Sequence, residues 1–82
     1  MKSVVELLSD LIRIPSNSAV SNRPVVEVAT RVLHGAGWSV RELPYKDAAG
    51  VEKVNLIAAP PGQDAANRDV DLVFMCHTDT VP

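Results

Sequence analysis

The apolar residues of this 82-residue chain change their period once, near Gly37. Before that point they recur at helical spacing; after it they alternate or run continuously, as in strands. This shift predicts two helices, over 3–14 and 24–36, followed by strands over 38–44, 52–59 and 70–76. Val4, Leu7, Leu8, Leu11 and Ile12 mark the expected buried face of the first helix. Val25, Ala29, Val32, Leu33 and Ala36 mark that of the second. Ser3 and Glu6 have capping-box spacing. Pro15 forces Ile14 out of helical geometry and ends the first helix, and Pro24 suits the first turn of the second. Gly35 and Gly37 end that helix, and His34 near its end suits the negative pole of the helix dipole.

In the second half, Asp47-Ala48-Ala49-Gly50 reads as the turn of a β-hairpin, and Pro60-Pro61-Gly62 closes its second strand. Val70–Cys76 is apolar on consecutive positions at its later end, the pattern of a strand buried on both faces. The fold class is therefore α/β: two N-terminal helices, a hairpin and a buried strand of a mixed sheet. Two helices and one hairpin provide only part of the cover such a strand needs. Residues 1–82 thus read as an incomplete portion of a larger domain.

Composition narrows the function. Eight basic and ten acidic residues give a net charge of −2, and there is one each of Trp, Tyr and Phe. Without a basic block or a stacking platform, a nucleic-acid partner is not expected. Glu6 and Asp10 interrupt the first apolar segment, which argues against a signal peptide. No run is long enough to span a membrane. A single cysteine, Cys76, cannot form an internal disulfide. A reducing, cytoplasmic location is the expectation.

Chemistry concentrates in His77-Thr78-Asp79-Thr80-Val81-Pro82, at the carboxyl end of the last expected strand, where ligand sites of open α/β sheets form. Neutral imidazole there can ligate zinc if a nearby acceptor fixes its tautomer, and Asp79 is placed to bend back onto it. Val81 and Pro82 would stiffen the exit. Spacing alone favours an ordinary strand-end histidine beside a helix-cap or turn aspartate, because His-x-Asp occurs by chance in many proteins. Cys76, next to His77 on a strand, points the opposite way and is expected in the core.

Leu72 to Pro82, read as an apolar strand followed by His77-Thr78-Asp79-Thr80-Val81-Pro82, resembles the first metal-binding signature of a metallohydrolase family. That family includes acetylornithine deacetylase, succinyl-diaminopimelate desuccinylase, carboxypeptidase G and aminoacylase. Leu8 to Ser16 is similar to the family's opening helix and its Ile-Pro-Ser exit. Gly37-Trp38 and Asn55-Leu56-Ile57-Ala58 are similar to the starts of its first two strands. Cys76 departs from the pattern, which more often has Gly, Ala or Ser there.

The resemblance implies the N-terminal part of a zinc-exopeptidase-like α/β/α catalytic domain. It makes His77 a metal ligand and Asp79 the carboxylate that orients it, Asp79 being the one catalytic residue expected in this stretch. It implies two zinc ions per site, with cobalt or manganese as substitutes. A water activated between the metals would attack the amide of an N-acyl amino acid or small peptide, in a full-length protein able to form a homodimer. The bridging aspartate, the glutamate pair and the remaining ligands are expected beyond Pro82. The competing expectation is a stand-alone α/β binding module without catalysis, or an inactive remnant.

Overall fold

The computed structural model describes residues 2–67, 69, 70 and 72–80. Two helices, α1 (Val4–Arg13) and α2 (Arg23–Gly35), precede two strands, β1 (Ser39–Lys46) and β2 (Glu52–Ala59). The strands pair antiparallel, with Ser39 opposite Ala59 and Lys46 opposite Glu52. The α/β arrangement, the helix order and the hairpin agree with the sequence reading.

Local chemistry sets the boundaries of these elements. The Ser3 hydroxyl accepts the Glu6 N–H at 3.2 Å, and the Glu6 carboxylate accepts the Ser3 N–H at 3.5 Å, so the expected capping box forms. Ile14, ahead of Pro15, is extended (φ −84°, ψ 122°) and ends α1. The α2 exit is a Schellman motif: Trp38 N–H donates to the Leu33 carbonyl and Gly37 N–H to that of His34, both at 3.0 Å. Gly37 carries the left-handed residue this needs, at φ +83°. In the hairpin turn, Asp47 Oδ1 accepts from Ala49 and Val51 N–H at 2.9 and 3.0 Å.

The core is small. Val25 and Val26 of α2 and Val54 of β2 are buried, with Leu11, Ile14 and Leu56 packed against them. The buried faces of both helices differ from expectation. On α1, Leu7 and Leu11 of the expected face turn partly inward, but Val4, Leu8 and Ile12 are exposed. On α2, Val32 and Ala36 are exposed, and Val26 joins Val25 inside. Both helices carry apolar residues on more than one face, so periodicity determines the element and not its rotation. The rotation follows from where Val54 and Leu56 present their side chains.

Two polar devices fasten α2 to the hairpin. Asn22 occupies the N-cap position of α2 but makes no side-chain cap bond there. Its amide instead donates to the Val54 carbonyl at 2.8 Å and accepts the Val54 N–H at 2.7 Å. The backbone groups of Val54 therefore point away from β1. Its partner across the hairpin, Pro44, has no N–H to offer and leaves no ladder bond unmade. Arg23 pairs with Glu52 at 2.5 Å and Glu42 at 3.4 Å. The hydrogen bond that Arg23 donates to Glu52, with Glu42 adding to it, raises the guanidinium pKa.

The expected third strand is corrected. Val70 and residues 72–76 form no strand, and Phe74 and Met75 are 89% and 92% exposed. A strand apolar on consecutive positions needs a hydrogen-bonding edge and apolar cover on both faces. The helix layer packs against a two-stranded sheet, and the segment lies exposed, without apolar cover on its two faces. Among the described residues, no helix is long and apolar enough to cross a membrane.

Candidate metal centre

His77 and Asp79 lie in the segment after the hairpin, and the structure brings their side chains together. His77 Nδ1 stands 2.8 Å from Asp79 Oδ1 and 3.2 Å from the Asp79 carbonyl oxygen. An ionised carboxylate and a carbonyl can only accept, so Nδ1 carries the proton and donates. The other ring nitrogen, Nε2, then holds its lone pair free. Both side chains are largely exposed, so that lone pair is accessible. The imidazole is thus held in the tautomer a metal ligand needs, by the type of partner that fixes such ligands in metalloenzymes.

The donor set fits one corner of a coordination sphere. Among the described residues, no group of three or more His, Cys, Asp and Glu could hold a metal ion. A catalytic zinc takes about three protein ligands. Cys76, expected in the core, is exposed as a free thiol. Its burial was inferred from a strand that does not form here, so the correction follows from the same cause. The stiffening role expected of Val81 and Pro82 lies outside the described residues. His34 sits in the last turn of α2, as expected.

One residue at the site was missed from the sequence. Ser16, just past α1, is 1% exposed. Its hydroxyl donates to the Thr78 carbonyl at 2.9 Å, and its carbonyl accepts the Thr80 N–H at 3.3 Å. The Ile14-Pro15-Ser16 exit of α1 and the His77–Thr80 segment therefore touch across 62 residues of chain. Leu8 to Ser16 and Leu72 to Pro82, two of the stretches that resemble the metallohydrolase family, each contain a partner of this contact, and that was the available signal. Two open surface grooves, beside Glu27, Thr30 and Arg31 and along Lys2, Glu6 and Asp10, do not include His77.

No family model and no solved structure matches the chain. Over 75 residues, 92% of its length, the chain is 36% identical to an acetylornithine deacetylase of Myxococcus xanthus. It spans about a fifth of that relative, 19% of its length. The likeness relates the chain to a deacetylating hydrolase.

Proposed function

We propose that residues 1–82 are the N-terminal portion of the catalytic domain of a metal-dependent hydrolase that cleaves amide bonds of N-acyl amino acids or small peptides. The observation that carries this reading is the approach of His77 Nδ1 to Asp79, 2.8 Å from Oδ1 and hydrogen-bonded to the main-chain carbonyl at 3.2 Å, which leaves Nε2 free as a ligand. The likeness to a deacetylase supports the reaction class. In this reading His77 holds one of two zinc ions, and Asp79 fixes the ring and raises its basicity. The remaining ligands and the proton-shuttling glutamate belong to other parts of the protein. Bound metal supplies Lewis acidity toward the amide carbonyl and lowers the pKa of water.

The test is metal removal from the full-length protein that carries this chain. Hydrolysis of N-acetylornithine and related N-acetyl amino acids, followed by release of the free amine, should stop after dialysis against a strong chelator. It should return on addition of zinc or cobalt. Undiminished hydrolysis in the verified metal-free protein would refute the metal dependence. A metal-loaded protein inert toward every N-acyl amino acid and dipeptide tried would favour a binding module instead.

A further inference from the structure

Ser16 is the one fully buried polar residue among the described residues. A hydroxyl taken out of water needs a partner, and its partner is the carbonyl of Thr78, between His77 and Asp79. The Ser16 carbonyl takes the Thr80 N–H, on the far side of Asp79. One residue thus holds the backbone on both sides of Asp79, much as a neighbouring strand would. From Leu72 to Cys76 the segment is exposed, and the side chains of His77 and Asp79 are held by each other. Their mutual geometry therefore depends on the backbone between them, and that backbone is fastened at Ser16.

We propose that Ser16 is a positioning residue for the His77–Asp79 pair, setting its metal affinity through the backbone at Thr78 and Thr80. The proposal rests on the reading of His77 as a metal ligand. Ser16 itself touches neither metal nor substrate. Ser16 is buried just past the exit of α1 at Ile14-Pro15, so the site's geometry is referred to the helix layer.

The experiment uses the full-length protein and reads metal binding, not turnover. Zinc affinity is measured by competition with a chromophoric chelator, and ligand geometry by the visible absorption of the cobalt-substituted protein. Ser16→Ala should weaken zinc binding by about tenfold, the lower end of the range for losing a group that orients a ligand, and should alter the cobalt bands. Val25→Ala is the control for general loosening, because Val25 is equally buried and makes no hydrogen bond to the segment. It should lower the unfolding midpoint and leave zinc affinity and the cobalt spectrum unchanged. Wild-type affinity and spectrum in Ser16→Ala would overturn the proposal, as would an equal loss in Val25→Ala. His77→Ala, measured alongside, separates the two ideas. Zinc lost there but kept in Ser16→Ala overturns the positioning role alone. Zinc fully kept in His77→Ala overturns the ligand assignment and the positioning role with it.

Discussion

His77→Ala in the full-length protein is expected to lose one metal equivalent and nearly all turnover. Water could fill the vacated coordination position but could not reproduce the fixed direction of an imidazole whose other nitrogen is tied to Asp79. Catalytic zinc sites work with about three protein ligands, so the loss of one removes both affinity and the geometry of the open position. Asp79→Asn should be milder, because the asparagine oxygen can still accept from Nδ1. It removes the negative charge beside the ring, and losses of this type run at about 10–100-fold. The expected order of damage is His77→Ala, then Asp79→Asn. Metal content by mass spectrometry and kcat on an N-acetyl amino acid check both. A His77→Ala protein with near-normal zinc and rate would end the ligand assignment.

The largest expected effect on stability comes from Asn22→Ala. Asn22 satisfies both backbone groups of Val54, at 2.8 and 2.7 Å, and Val54 is 2% exposed. The alanine leaves a donor and an acceptor together without partners. Each such group costs about 1–3 kcal/mol, and water entering at the strand edge recovers part of this. A net loss of about 3 kcal/mol is expected, a large share of the roughly 5–15 kcal/mol that holds a domain folded. Asn22→Asp should not rescue it, because a carboxylate accepts the Val54 N–H but faces the Val54 carbonyl with no hydrogen to give. Urea unfolding gives the magnitude, and hydrogen exchange at the Val54 amide locates it. If Asn22→Ala unfolds within about 0.5 kcal/mol of the parent, as an ordinary surface change would, the bidentate contact carries no weight.

The contrast between what could be read in advance and what could not follows the range of the interactions. Ser3 with Glu6, Pro15, Pro24, Gly37 and the Asp47–Gly50 turn all act within a few residues, and each appears where its chemistry requires. The His77–Asp79 contact is likewise two residues long. Ser16 with Thr78 and Asn22 with Val54 join positions 62 and 32 residues apart. A serine after Ile-Pro or an asparagine before Arg-Pro carries no periodic signal of such a partner, and local N-cap preference would aim an asparagine at its own helix. The buried faces of α1 and α2 and the state of residues 70–76 are tertiary properties. Apolar spacing states that a surface is to be covered, and the neighbours decide which part of it is.

The Asn22 amide also changes what can happen at the outer edge of β2. An unpaired edge strand offers alternate residues as a template for a foreign strand. In β2 the outward-facing set contains Val54 and, by the two-residue repeat, Leu56 and Ala58. The side chain of Asn22 occupies the first of these with the same donor and acceptor a strand would bring. An incoming strand can therefore ladder along Leu56 and Ala58 but must stop short of Val54, which fixes its register and leaves the hairpin end of the edge closed to templated growth.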